Sequence, residues 1–324
     1  MSVPSRSFWS GRRVTVTGGA GFVGSALVPA LQALGAEVRT VRSAEHDLRD
    51  PRAAREALQD SELVFHLAAN VGGIDFNRRN PAPLAYDNMM IAGNVFEQAR
   101  QAGVSKLVST CTVCAYPKFT PTPFSEDDLW NGYPEETNAP YGLAKRMVIV
   151  LSDTYRRQYG LDAVVPVLVN LYGPNDHFSL EDSHVIPAMV RKFHEASTQG
   201  RSEVTMWGTG RPSREFMYVD DAARALLLAA EHLHTSAPVN IGTGEETHIR
   251  ELAELIAALT GFDGDIIWDA SKPDGQPARH LDVKRANALF GFEAEVKLED
   301  GLRRTIEWFR EREAGQPPGA EEHA

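Results

Sequence analysis

Residues 13–24 read R-V-T-V-T-G-G-A-G-F-V-G, a β-branched strand running straight into Gly18, Gly21 and Gly24. The stretch that follows, S-A-L-V-P-A-L-Q-A-L-G (25–35), carries apolar residues at helical spacing and stops at Gly35, a residue suited to ending a helix. Strand, glycine turn and helix in that order aim backbone N–H groups and the positive end of a helix dipole at one point, as a pyrophosphate requires. A lone glycine pattern is weak; the strand–turn–helix context it needs is met here. Gly18, Gly21, Phe22, Val23 and Gly24 are therefore candidate cofactor contacts.

Outward from this turn the same rhythm repeats. Strand patterns at 36–41, 63–69, 106–112 and 163–174 alternate with helical patterns opening near Pro51 and covering 84–102 and 141–159. Such alternation predicts an α/β fold, a Rossmann-type doubly wound parallel sheet with helices on both faces. Past residue 173 the rhythm breaks into helices at 183–196, 248–261 and 301–313 with short strands between them. That break predicts a smaller, mostly C-terminal α/β part for a substrate. The expected division is 1–172 with 212–245 for the cofactor, 173–211 with 246–312 for the substrate, and a flexible tail at 313–324.

Composition excludes several classes. Lys plus Arg number 33 against 44 Asp plus Glu, a net charge of −11, which disfavours a nucleic-acid partner. Two cysteines, Cys111 and Cys114, are too few for a disulfide framework or a four-thiolate zinc site, and no metal is expected. An extended strand end at 111–114 would point the two to opposite faces, with Cys111 in the core. No run approaches the roughly 18 apolar residues of a membrane helix. The opening MSVPSRSFWSGRR lacks the apolar centre of a secretory signal, so a cytoplasmic setting is expected.

The choice of cofactor turns on the end of the second strand. An NAD site usually places an acid about 20 residues after the glycines; this chain places Arg39, Arg42 and Ser43 there. A guanidinium accepts a ribose 2′-phosphate, so NADP(H) is favoured, with NAD the alternative. On the other reading these arginines are surface cations paired with Glu45 or Asp47. Asp47 and Leu48 are placed to reach an adenine edge.

Tyr141 and Lys145 lie four apart on one helical face, where an ammonium stabilises a phenolate and makes the tyrosine a usable acid or base. Thr112 ends the fourth strand and can bond the same substrate oxygen. With T-G-G-A-G-F-V-G, H-L-A-A-N (66–70), S-T-C-T-V-C-A-Y-P (109–117) and P-Y-G-L-A-K-R-M (140–147), the chain resembles the extended short-chain dehydrogenase/reductase family. Leu67, Ala68 and Ala69 then join the cofactor contacts.

Longer runs carry a closer resemblance to the GDP-L-fucose synthase branch, the GDP-4-keto-6-deoxymannose 3,5-epimerase/4-reductases. They are V-G-G-I-D (71–75), Y-D-N-M-M-I-A-G-N (86–94), L-Y-G-P-N-D-H-F (171–178), S-H-V-I-P-A-M-V-R-K-F-H-E-A (183–196), M-W-G-T-G-R-P-S-R-E-F-M-Y-V-D-D (206–221) and D-A-S-K-P-D-G (269–275). The resemblance implies Cys114 and His184 as the proton-exchanging pair at carbons 3 and 5. It also implies Asn170, Val185, Lys192, Trp207, Arg214 and Arg279 as nucleotide-sugar contacts, with the two arginines on the diphosphate. Departures are equally visible: Ala20 stands where the branch often has an arginine, and Thr112 replaces a serine. Lys192 and Arg279 exchange arginine for lysine and lysine for arginine.

The resulting expectation is an NADP(H)-dependent nucleotide-sugar epimerase/reductase, GDP-linked sugars favoured, forming a homodimer through the 84–102 and 141–159 helices. Its rivals are an epimerase that retains its cofactor without net redox change, and a dinucleotide sensor without chemistry.

Overall fold

The computed structural model describes residues 2–180, 183–272 and 274–315. Five parallel strands form the main sheet: β1 (Arg13–Thr17), β2 (Glu37–Val41), β3 (Leu63–His66), β4 (Lys106–Ser109) and, after β5 (Cys111–Thr112), β6 (Ala163–Val164). Their order is β2-β1-β3-β4-β6, so the connection after β1 runs one way and that after β2 crosses back to the other side of it. The crevice at the carboxyl ends of strands where the order reverses is where such sheets bind ligands. The strands are apolar on both faces because helices cover both. Val14, Val16, Val64, Phe65, Leu107 and Val108 are at most 1% exposed, each burial stabilising by about 1.5–3 kcal/mol.

Helices fill the connections as the periodicity predicts. After α1 (Arg6–Trp9) come α2 (Phe22–Ala33), α3 (Pro51–Leu58), α4 (Ile74–Arg79), α5 (Pro81–Gln101) and α6 (Ala139–Tyr159). Helix α2 ends where Gly35 adopts φ +87°, a left-handed turn open to glycine.

Two long expected strands are broken. The run 106–112 splits after Ser109, because Thr110 N–H turns to the His66 carbonyl while β5 pairs instead with β7 (Pro166–Leu168). The run 163–174 becomes β6, β7 and β8 (Asn170–Tyr172), with Pro166 supplying no donor and Val169 N–H bonding the Ile241 carbonyl. Each break lets the chain change sheet partner.

Beyond these lie α7 (Val185–Thr198), β9 (Glu203–Trp207), β10 (Ser213–Arg214), β11 (Phe216–Tyr218), α8 (Val219–His232), β12 (Val239–Ile241), β13 (Thr247–His248), α9 (Ile249–Thr260), β14 (Asp265–Asp269), β15 (Ala278–Arg279), α10 (Lys284–Phe290) and α11 (Leu298–Gly315). A second apolar core, built on Ile186, Val190, Phe193, Leu252, Ile256 and Phe309, packs α7, α9 and α11 together. Leu281, Ala286, Phe290 and Phe292 instead pack into the larger core. The expected tail begins as helix, since α11 continues to Gly315; residues 316–324 lie outside the described residues.

Candidate active site

One cleft of about 1630 Å³ opens over the carboxyl ends of the main sheet. Its floor is the turn after β1, where Gly18 adopts φ +69° and a Cβ would stand 2.9 Å from the Ala68 nitrogen. A Cβ on Gly24 would meet the Gly18 carbonyl oxygen and the Gly19 backbone at 2.5 Å. Only glycine therefore lets α2 start flush against the turn, leaving its first N–H groups directed at the cleft. Gly18, Gly21, Phe22, Val23, Gly24, Leu48, Leu67, Ala68 and Ala69 all line it. A backbone cradle that side chains would fill fits a dinucleotide pyrophosphate.

The charged residues around this floor divide. Arg42 and Ser43 line the cleft, and among the described residues Arg42 forms no ion pair. Arg39 does not line it, because it sits mid-strand in β2, two residues short of the carboxyl end. Neither arginine pairs with Asp47; Arg49 does, at 2.7 Å, while also reaching Asp87 at 3.2 Å. Paired with Arg49, Asp47 is held below the usual carboxylate range. Arg49 escaped the sequence reading, although R-x-x-x-x-x-x-R from Arg42 was there to be seen.

At the other end of the sheet, β5 does not continue to Cys114. It closes at Thr112, whose hydroxyl oxygen accepts the Cys114 N–H at 3.3 Å and so starts a 3₁₀ turn over Val113–Ala115. This turn corrects the expectation of two cysteines alternating along a strand, while Cys111 does join the core at 2% exposure. Burial pushes the Cys111 thiol up to about 11. Helix α6 presses onto the turn because Gly142 has no side chain: a Cβ there would stand 2.4 Å from the Cys114 carbonyl oxygen. Buried Arg146 fastens the contact, donating to the Ala115 carbonyl at 2.5 Å and the Gly132 carbonyl at 2.9 Å. Neither Gly142 nor Arg146 was singled out from sequence, though both lie inside the P-Y-G-L-A-K-R-M run.

Tyr141 and Lys145 face the cleft from α6, as their four-residue spacing requires. Their pairing differs from expectation. The Lys145 ammonium sits 5.9 Å from the Tyr141 ring centroid and donates to the Thr110 carbonyl at 3.2 Å. Burial, rather than the ammonium, dominates both groups: it raises the Tyr141 phenol and brings Lys145 down to about 8. Tyr141 is thus a phenol and a proton donor throughout the neutral range.

His184 immediately precedes α7 and faces the cleft. Its ring meets cleft solvent yet is walled in by protein, and this enclosure, with His177 nearby, lowers it below the ordinary histidine value. Asn170, Val185, Lys192, Trp207, Arg214 and Arg279 also line the cleft. Asn170 is oriented by donating to the Glu215 carbonyl at 2.9 Å. Arg214 and Arg279 lie opposite each other on paired strands β10 and β15. Asp221 is engaged by Arg224 at 3.1 Å rather than by Arg214, whose Nη1 donates to the Ser213 carbonyl at 2.6 Å.

A backbone cradle fit for a dinucleotide, a half-buried tyrosine beside a buried lysine, and a thiol and a histidine lining the same cleft mark a cofactor-dependent enzyme. The chain belongs to the NAD dependent epimerase/dehydratase family, whose model matches residues 14–242. Within that family its relatives include the GDP-L-fucose synthase of Escherichia coli, 42% identical over 93% of this chain and 98% of that one. Among solved structures it is similar to a GDP-6-OMe-4-keto-L-xylo-heptose reductase from C. jejuni, at TM-score 0.88, 27% identity and coverage of 93% and 98% of the two chains. A GDP-L-fucose synthetase from Naegleria fowleri bound to NADP matches at TM-score 0.84, 28% identity and coverage of 94% and 96%.

Proposed function

We propose that this enzyme carries out 3,5-epimerisation and 4-keto reduction of a GDP-4-keto-6-deoxyhexose with NADP(H). The observation that carries the reading is the backbone contact at Gly142, which joins the helix carrying Tyr141 to the turn carrying Cys114, and both residues line one cleft. A fold alone would not support a reaction; relatives spanning nearly its whole length add the substrate class.

Bound at the glycine turn, NADPH supplies a hydride to carbon 4. Arg42 is placed to take the 2′-phosphate and Arg214 the substrate diphosphate, each by a guanidinium fork. Thr112 keeps its hydroxyl hydrogen for the carbonyl oxygen, since its oxygen is the acceptor for Cys114 N–H. Cys114 Sγ takes the acidic proton beside the ketone and His184 delivers one from the opposite face. A lowered imidazole is the stronger donor once protonated. Tyr141 then protonates the C4 oxygen while Lys145 keeps positive charge beneath the ring. The two apolar cores support a cofactor-binding part and a nucleotide-sugar-binding part, with 281–292 assigned to the former.

The test offers GDP-4-keto-6-deoxymannose with NADPH and follows both NADPH absorbance and the product sugar. Stoichiometric NADPH consumption with a 3,5-inverted product is expected. An inverted sugar without consumption identifies the cofactor-retaining epimerase instead, and no turnover at all favours the sensor.

We also infer a homodimer in the cytoplasm. Tyr86 and Met89 on α5, with Met147, Val150 and Tyr159 on α6, leave apolar surface exposed on adjacent helices. Light scattering at micromolar concentration should return twice the 35.6 kDa chain mass; a monomer mass refutes it.

A further inference from the structure

Arg279 does something in this cleft that its expected place on the diphosphate does not explain. It is 9% exposed, and its Nη1 donates to Cys114 Sγ at 3.5 Å. The rest of the guanidinium is tied back: Nε and Nη2 both donate to Gln276 Oε1, at 3.1 and 3.0 Å. Gln276 is itself buried and is oriented by donating from Nε2 to the Lys118 carbonyl at 2.8 Å. The fork is thereby locked with one edge on the sulfur.

Charge points the same way. Among the described residues neither Arg279 nor Arg214 forms an ion pair, although they stand opposite each other on β15 and β10. Burial and the neighbouring Arg279 bring Arg214 down to about 10. Arg279 is buried and Arg214 half-buried; Asp274 and Glu246 act on Arg214 through space, but among the described residues neither guanidinium touches a carboxylate, so each favours a negative partner. The substrate diphosphate answers for one. Among the described residues, the titratable groups that act on Cys114 are Arg279, Arg214, Tyr141 and Cys111. Of these only the arginines are charged near neutrality, and only Arg279 touches the sulfur.

We propose that Arg279 is a positioning residue for Cys114, holding its sulfur as the charge partner of the guanidinium so that it can accept the proton from the sugar. The proposal rests on the epimerase/reductase reading above. In the step served, the C–H bond beside the ketone breaks, an S–H bond forms, and the electron pair passes to the C4 oxygen as an enolate. His184 then gives its proton to the opposite face of the same carbon. Cys114 returns its proton to solvent and His184 takes one back, so nothing is consumed. A lysine at 279 would keep the charge but lose the fork that shares Gln276 and Sγ.

The test compares wild type with Arg279→Gln and Arg279→Lys in three readouts on the full chain. Iodoacetamide alkylation of Cys114 at neutral pH, read by mass spectrometry, needs no substrate. Calorimetry gives GDP affinity, and NADPH affinity confirms that each variant is folded. Solvent deuterium incorporation into GDP-4-keto-6-deoxymannose reads epimerisation.

Arg279→Gln should slow alkylation and deuterium incorporation by about tenfold or more, as loss of an adjacent opposite charge does. GDP affinity should stay within about twofold, and Arg279→Lys should recover part of the alkylation rate. Unchanged alkylation together with a tenfold loss of GDP affinity would overturn the proposal and return Arg279 to the diphosphate. If wild type incorporates no deuterium while Arg279→Gln still slows alkylation, the pairing stands and the epimerase reading falls.

Discussion

Tyr141→Phe should lower the rate of 4-keto reduction by about 10²–10⁴-fold, the loss typical of removing a placed acid, equivalent to about 3–5 kcal/mol of barrier. No neighbour can stand in. Lys145 is held on the Thr110 carbonyl, and the Thr112 hydroxyl, free to hydrogen-bond the same oxygen, is a far weaker acid than a phenol. Because burial raises the phenol, the wild-type donor remains protonated well past neutrality. The alkaline limb of kcat/KM for reduction should therefore be set by Lys145, which loses its charge as pH rises through about 8. Phenylalanine preserves the ring and the helix face, so binding of NADPH and of GDP should be nearly unchanged. A Tyr141→Phe enzyme that retains more than about a tenth of wild-type reduction would remove Tyr141 from the donor role.

Cys114→Ser should separate the two reactions. A serine hydroxyl is far too weak an acid to supply the anion that takes a proton beside the ketone, so solvent deuterium incorporation at carbons 3 and 5 should fall by about 10²–10⁴-fold. Hydride transfer to an already inverted 4-keto sugar should survive within about tenfold, since Tyr141, Lys145 and Thr112 are untouched. The comparison has a built-in control. Cys111, three residues away and buried in the core with its thiol pushed up to about 11, should resist alkylation whether or not Cys114 is present. Equal loss of both reactions in Cys114→Ser would argue that the thiol shapes the cleft rather than moves a proton.

Much of this was legible in the chain because the physics is local. The turn after β1 announces itself, since the need for left-handed backbone at Gly18 and for no Cβ at Gly24 can be met by one residue type only. The Tyr141–Lys145 face follows from helical period alone. Less legible were features that depend on partners distant in sequence. The break after Ser109 depends on whether β5 follows β4 or is recruited by β7, and nothing within 106–112 decides that. The role of Arg49 depends on Asp87, which lies 38 residues on, and the hold of Arg279 on Cys114 spans 165 residues. Arg39 misled because strand residues near an end share composition with those at it. The expectation that Lys145 would govern Tyr141 left out burial, which dominates both groups while the ammonium donates to the Thr110 carbonyl.

The bare backbone at Gly142 has a further consequence. It is the point at which the helix carrying Tyr141 and the turn carrying Cys114 meet backbone to backbone, so a shift of one is passed to the other. In the proposed reaction, a sugar ring docked once would face both, and the 4-keto intermediate would have no need to leave and return between steps. Any bulk introduced at this joint would dismantle two activities with one methyl group.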